Sequence, residues 1–251
     1  MTGKLYLVPT PLDFGSEQLV PLPQVLPLGT ITIAAGLSCW LCENAKTTRA
    51  FLKRVAQVIP LAKPLQDLAV KQLPHGLAKG ETSLDPGDAV VLLQAALDGI
   101  DMGLVSEAGM PGIADPGQAV VRSAHELGIP VRPLVGPVSL ILALAASGLN
   151  GQNFAFVGYL PVDAAARKRR IRELESLARK TGQTQQFIEV PYRNESMMAS
   201  LLQALQPSTL LSVACGLTLE EQHVRSDRVS AWRKNPMTPP PALPAVFSIG
   251  V

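Results

Sequence analysis

Residues 103–117, Gly-Leu-Val-Ser-Glu-Ala-Gly-Met-Pro-Gly-Ile-Ala-Asp-Pro-Gly, set two carboxylates, Glu107 and Asp115, on or beside a turn carrying Gly109, Pro111, Gly112, Pro116 and Gly117. Carboxylates at such a turn suit ligand hydroxyls or amines. The glycines let backbone approach a ligand closely and adopt positive φ where a side chain would clash. A third carboxylate, Glu43, ends an apolar run at 38–43, with Asn44, Thr47, Thr48 and Arg49 just after it. Those polar residues fit a ligand site and fit the capping of the next helix, the commoner use of Asn and Thr.

The elements around these residues follow from the pattern of apolar positions. Leu104 and Val105 read as a buried strand before the loop, and 119–127 as a helix after it. Strand, glycine-rich loop, helix is the local geometry in which α/β proteins bind ligands at the carboxyl ends of strands. Residues 5–8 predict a first strand, and 9–17 a turn-rich loop that is either a ligand loop or an ordinary strand exit. Residues 29–37 read either way, since alternating Thr and Ile favour a strand and the alanines tolerate a helix. Residues 38–43 predict a strand and 47–58 a helix; 60–86 are proline-interrupted and mixed; 89–97 are a helix or a strand. A further strand is expected within 128–135, and Gly136-Pro137 as a hinge.

Alternating strands and helices with short connections over 1–135 predict a parallel doubly wound sheet. Residues 136–251 are expected to form a second α/β domain of mixed strands and helices. Its expected helices are 139–147, 164–180 (Ile171, Leu174 and Leu177 inward) and 195–205. Its expected strands are 154–159, 185–190, 210–215 and 245–250.

Composition narrows the function classes. With 47% hydrophobic and 17% charged residues over 251, the chain can bury a core. A net charge of +2 is too near neutral to argue for nucleic acid by bulk charge. Aromatics at 4% argue against base-stacking platforms. Three cysteines, Cys39, Cys42 and Cys215, suit a reducing compartment better than a disulfide framework. The Cys39–Cys42 pair falls inside an expected strand with apolar flanks and no further ligands at metal spacing, so no metal is expected. No apolar run reaches membrane-spanning length, and the first residues lack a signal-peptide layout. A cytoplasmic protein is expected. The helix at 166–180 carries five cations within 167–172, plus Arg179 and Lys180. That face is either a phosphate grip or a solvated surface with Glu173 and Glu175 as partial partners.

Several segments together resemble one family: 5–11 (Leu-Tyr-Leu-Val-Pro-Thr-Pro), Glu43-Asn44 with Thr48-Arg49, the 104–117 loop, Gly136-Pro137, 154–161, Glu189-Val-Pro-Tyr-Arg193, and Leu217-Thr218 with Glu220-Glu221. They are similar to the class III, tetrapyrrole-methylase-type S-adenosylmethionine-dependent methyltransferases. The nearest branch contains the small-subunit ribosomal RNA cytidine ribose-O-methyltransferase. The chain departs from that branch at several points. Asp13-Phe14 replace its Gly-Asn pair, and Glu107 and Met110 replace an Asp and a Thr. Tyr192 replaces a His, and Cys215-Gly-Leu-Thr-Leu219 replaces a motif with three more charged groups. The branch's extra C-terminal segment is expected to be absent.

The resemblance implies two α/β domains, S-adenosyl-L-methionine in the cleft between them, and a homodimer. By position, it implies cofactor contacts from Pro9, Leu12, Glu107, Gly109, Met110, Pro111, Ile113, Val138 and Ser139. Leu160, Cys215 and Ala245 would follow from the second domain. Glu43 and Glu189 are the candidates for a catalytic base, and Arg49 and Arg193 for holding an anionic substrate group. The expected acceptor is a ribosomal RNA ribose 2′-hydroxyl. The alternatives are a small, tetrapyrrole-like acceptor and cofactor binding without catalysis.

Overall fold

A computed structural model of the chain describes residues 1–13, 19–78, 83–237 and 239–251. Its contacts divide it into two units, Met1–Val138 and Ser139–Val251, so the division falls after Val138 rather than after Val135.

The first unit is built on five parallel strands: β1 (Leu5–Leu7), β2 (Cys39–Cys42), β3 (Ala69–Gln72), β4 (Met102–Val105) and β5 (Val131–Pro133), ordered β3-β2-β4-β1-β5. Side chains alternate across a strand, and the core divides accordingly. Trp40, Cys42 and Val105 face one apolar cluster, with Ile31, Ala34, Phe51, Leu52 and Val55. Leu5, Leu41, Met102 and Leu104 face the other, with Leu92, Leu93, Val120 and Ala124. The sheet is therefore covered on both faces. The covering helices are α1 (Leu22–Val25), α2 (Leu28–Gly36) and α3 (Ala45–Ala56) on the first face. On the second are α4 (His75–Ala78), α5 (Pro86–Leu97) and α6 (Gln118–Glu126).

Local chemistry settles the ambiguous stretches. Residues 28–36 are a helix because Thr30, Ile31, Ala34 and Ala35 bury one stripe at helical spacing. Their threonine hydroxyls find carbonyls, Thr30 on Val135 at 2.8 Å and Thr32 on Leu28 at 2.8 Å. Residues 86–97 are a helix opened by Asp85, whose carboxylate accepts from the Gly87 N–H at 2.8 Å, with Pro86 at the first helical position. Within the mixed 60–86 region, β3 is an edge strand with largely exposed side chains. Part of the expected 9–17 loop, residues 14–17, lies outside the described residues.

The second unit holds a mixed sheet. Its strands are β6 (Phe154–Tyr159), β7 (Thr184–Glu189), β8 (Leu210–Cys215), β9 (His223–Arg228) and β10 (Ala245–Gly250), ordered β6-β7-β10-β8-β9. β6 and β7 run parallel, and the other pairs are antiparallel. Its helices are α7 (Ser139–Ser147), α8 (Ala164–Thr181), α9 (Asn194–Ala204) and α10 (Val229–Lys234). The edge strand β9 and the helix α10 were not expected from the sequence. Phe187 and Phe247 stack at 5.6 Å in the core between α8, α9 and the sheet. α8 departs from expectation in one respect: its inward stripe is Arg167, Ile171, Leu174, Glu175 and Ala178, while Leu177 is 41% exposed. Leu177 sits one step off the i, i+4, i+7, i+11 line that the sheet covers. Among the described residues no helix is long and apolar enough to cross a membrane.

Gly103 in β4 has no room for a side chain. A Cβ there would meet the buried Trp40 ring at 2.5 Å and Leu37 at 3.1 Å. Gly103→Ala is expected to destabilise the first unit by about 1–3 kcal/mol, the usual cost of overpacking a well-filled core. Urea denaturation of the purified variant measures it, and an unchanged midpoint would show that the Trp40 ring can yield.

Candidate functional site

In the first unit, the chain ends of three adjacent strands, β2, β4 and β1, leave the sheet at one edge. After β1, Pro9, Thr10, Pro11 and Leu12 are buried. Thr10 and Gly109 exchange two backbone hydrogen bonds, Thr10 N to Gly109 O at 2.9 Å and Gly109 N to Thr10 O at 3.1 Å. The Thr10 hydroxyl also donates to the Ser106 carbonyl at 3.2 Å. The first loop and the central loop are thus stitched together. Gly109 has φ 80°, and a Cβ on it would meet Leu12 at 3.2 Å and the Pro137 carbonyl at 3.4 Å. Pro111 is buried, Met110 half-buried and Ile113 47% exposed. The loop turns through positive φ at Gly112, Gly117 and also Ala114. Ala114 pays a steric cost that a glycine there would avoid.

Three carboxylates gather at this edge. Glu43 follows β2 and is half-buried, and its Oε1 has no hydrogen-bond partner. Burial first, then the charges of Asp115 and Glu107, raise its pKa to about 7. Asp115 is raised to about 6, by burial and by the Glu107 charge, against a stabilising Ser106 hydroxyl. Glu107 is exposed and accepts from the Thr47 hydroxyl at 2.7 Å. Thr47 therefore bridges the central loop to α3, a role that its sequence position alone did not distinguish from capping. Asn44 does cap α3, accepting from Lys46 N at 2.9 Å. Arg49 lies exposed on α3, and among the described residues its guanidinium reaches only the Ala45 carbonyl, at 3.4 Å.

A cavity of about 510 Å³ opens beside these groups, lined by Thr10, Asp13, Thr47, Phe51, Arg54 and Glu107 among others. Asp13 is ion-paired with Arg54, whose other nitrogen donates to the Val20 carbonyl at 2.6 Å. Nothing in the local sequence marks this pair, because its partners lie 41 positions apart. Its neighbour Phe14 lies outside the described residues.

In the second unit, Glu189, Ala245 and Cys215 form one rung across β7, β10 and β8. Leu160 is held near the same end, its carbonyl accepting from Arg193 Nη2 at 3.3 Å. The side chains of Leu160, Cys215 and Ala245 are packed into the apolar core. Ala245 and Cys215 are also paired through their backbone with the strands on either side, so none of the three presents a side chain to a ligand. Burial raises the Cys215 thiol, which stays protonated. Glu189 is fully buried, with Oε1 accepting from Val190 N at 2.9 Å and Oε2 2.9 Å from Arg193 Nη2. The guanidinium N–H does not point along that line, so the contact is an ion pair by distance without an aligned hydrogen bond. Arg193 is thus spent on holding its own unit together. Tyr192 beside it is 83% exposed. Val138 and Ser139, both half-buried, stand on either side of the division between units.

A parallel α/β unit with a glycine loop and convergent carboxylates at the carboxyl ends of its strands defines a ligand-binding α/β protein. The family model Tetrapyrrole (Corrin/Porphyrin) Methylases matches residues 44–231. The chain belongs to this family of S-adenosylmethionine-dependent methyltransferases. It is similar to the ribosomal RNA small subunit methyltransferase I of Vibrio cholerae, 39% identical over 47% of this chain and 39% of that protein. The protein of the same name from Micromonospora olivasterospora is 37% identical over 91% of this chain and 64% of its own length. The chain thus spans less than two thirds of either relative. A solved uroporphyrin-III C-methyltransferase from Thermus thermophilus, complexed with S-adenosylhomocysteine, shares the fold. Its TM-score is 0.51 at 16% identity, over 99% of this chain and 97% of that one.

Two outcomes follow for stability. Because both Glu43 and Asp115 have raised pKa values, folding favours their neutral forms. That contribution is complete below the ordinary carboxylate range and is lost as pH rises through about 6 and about 7. Glu43→Gln should therefore match the wild type at acid pH and gain in melting temperature over it above neutrality, read by thermal scans across pH; a constant difference would remove the assignment. Arg193→Ala should destabilise the second unit by about 3 kcal/mol, since it strands a buried carboxylate. Adding Glu189→Gln should restore part of that loss in the same urea titration.

Proposed function

We propose that this chain transfers the methyl group of S-adenosylmethionine to a ribose 2′-hydroxyl of small-subunit ribosomal RNA, with Glu43 as the base. The observation that carries this reading is the Glu43 carboxyl at the end of β2, with a buried, unpartnered oxygen and a pKa of about 7. A base is most effective when its pKa lies near the working pH. Glu189, by contrast, is fully buried and ion-paired with Arg193 at 2.9 Å, so its charge is engaged within its own unit.

The residues present fit the donor. Its sulfonium and amino groups are cationic, and Glu43, Glu107 and Asp115 supply negative or acid-switchable groups beside a loop whose Gly109 leaves the backbone bare. We assign the donor's surroundings in the first unit to Pro9, Leu12, Glu107, Gly109, Met110, Pro111, Ile113 and Val138. The donor supplies an already activated methyl group. The protein then has mainly to orient the acceptor oxygen and remove its proton. Glu43 takes that proton as the oxygen–methyl bond forms and the sulfur–methyl bond breaks. Arg49, exposed and free of any carboxylate among the described residues, is suited to an acceptor phosphate. We further propose that the protein works in the cytoplasm as a homodimer. The names of its curated relatives support the RNA acceptor.

Purified protein incubated with methyl-labelled S-adenosylmethionine and small ribosomal subunits should label the rRNA. Glu43→Gln should lower kcat by about 10²–10⁴-fold, the usual worth of a general base. It should also abolish the rise in rate through pH 7. Labelling of a tetrapyrrole instead of rRNA would overturn the acceptor, and full activity of the variant would overturn the base.

A further inference from the structure

We infer that the groove between α8 and the turn after α9 is a docking site for the phosphodiester backbone of RNA, at the end of the second unit opposite the rung of Glu189, Ala245 and Cys215. The inference rests on the ribosomal RNA reading above.

A groove of about 670 Å³ is lined by Arg172, Ser176, Arg179 and Lys180 of α8, with Ala204, Gln206 and Glu175. On a helix, residues three, four, seven and eleven apart share a face, so Lys168, Arg172, Ser176 and Arg179 form one stripe, with Arg169 and Lys180 at its margin. Residues 168–180 span roughly 18 Å at the helical rise. That length exceeds a single phosphate and suits a polyanion.

The charges on this stripe are not neutralised within the protein. Arg170 pairs with Glu173 at 3.2 Å, and no other α8 cation has a carboxylate partner among the described residues. Glu175, which the sequence offered as a partner for this face, is turned inward. It is 5% exposed and accepts from Gln206 N at 2.8 Å and from the Thr209 hydroxyl. It is thus hydrogen-bonded to the turn that forms the opposite wall and pairs with no α8 cation among the described residues. Arg179 Nη1 donates to Gln206 Oε1 at 2.7 Å, which fixes the width of the groove. Arg228 and Arg233 reinforce the positive field near that wall. They donate to the carbonyls of Ser208 at 3.0 Å, Leu202 at 2.8 Å and Leu205 at 2.7 Å.

Topology sets the groove apart from the rung of Glu189, Ala245 and Cys215. α8 runs back along the sheet and ends where β7 begins, and Gln206 lies just before β8 begins. The rung lies where β7 and β8 end. The groove therefore occupies the opposite end of the second unit. Arginine forks match phosphate oxygens, and α8 carries no aromatic side chain for base stacking. The contact therefore holds the RNA backbone without reading its sequence.

The test compares wild type, an Arg172→Gln/Lys180→Gln double variant and an Arg172→Gln/Arg179→Gln/Lys180→Gln triple variant. The double variant removes two side chains that bond to nothing else among the described residues, so folding is spared. Affinity for deproteinised small-subunit rRNA is measured by filter binding from low to high KCl, and affinity for S-adenosylmethionine by calorimetry. Each lost phosphate contact lowers the slope of log K against log salt by about 0.7–0.9. The double variant should therefore lose about 1.5 in slope and bind rRNA at least about tenfold more weakly in moderate salt, with cofactor affinity unchanged. Wild-type slope and affinity in both variants, with rRNA still bound and methylated, would overturn the groove and leave the function intact. Wild type that neither binds nor methylates rRNA would overturn both.

Discussion

The reciprocal pair of backbone hydrogen bonds between Thr10 and Gly109 fixes the geometry on which the first unit's candidate site depends. β1 and β4 are parallel neighbours, so the loops after them leave the sheet side by side. Parallel strands alone do not hold their exit loops together. Here two peptide groups do so, and they can approach because Gly109 has no side chain and a φ of 80°. Gly136 works similarly: a Cβ there would sit 2.3 Å from the Pro9 ring. Pro9, Gly109 and Gly136-Pro137 are thus packed around missing atoms. Any larger residue would pry the first loop from the central one.

That fixed framework places three carboxylates at one strand end, where burial rather than hydrogen bonding dominates Glu43 and Asp115. A half-buried carboxyl with one oxygen unpartnered, as in Glu43, costs stability. The fold tolerates it because β2 and β4 are adjacent and both central in the sheet. Glu189 is the opposite case. It is more deeply buried, yet it has an arginine and a backbone N–H as partners and so serves the structure. Similar positions at the ends of strands thus yield one group suited to chemistry and one suited to cohesion.

The points at which the sequence departs from its family branch acquire physical content. Asp13 stands where the branch has glycine, and it anchors the first loop to Arg54 of α3. At the end of β8 and in the turn after it, Cys215, Gly216 and Leu219 stand where the branch carries charges. Cys215 and Leu219 are nearly fully buried, and Gly216 and Thr218 adopt positive φ. Such a turn closes over apolar surface, where unpaired charges would be costly.

Most of the architecture was legible in the chain. The strands β1, β2, β4, β6, β7, β8 and β10 and the helices α3 and α6 to α9 announce themselves by apolar runs or stripes, because each buries at least one face. The edge strands β3 and β9 do not. Their sequences, Ala-Val-Lys-Gln and His-Val-Arg-Ser-Asp-Arg, are largely polar and bury no side chain, whereas the edge strand β6 is an apolar run. The glycine loop and its carboxylates were also legible, since bare backbone and charge next to a strand end are properties of local sequence. Contacts between residues distant in the chain were not: the Thr47–Glu107 bridge, the Asp13–Arg54 pair, the inward turn of Glu175 and the pairing of Arg193 with its own unit's carbonyl at Leu160. Residue type determined which groups could be charged. Only the packing of one element against another decided which charges were satisfied, which were buried, and which were left facing outward for a partner.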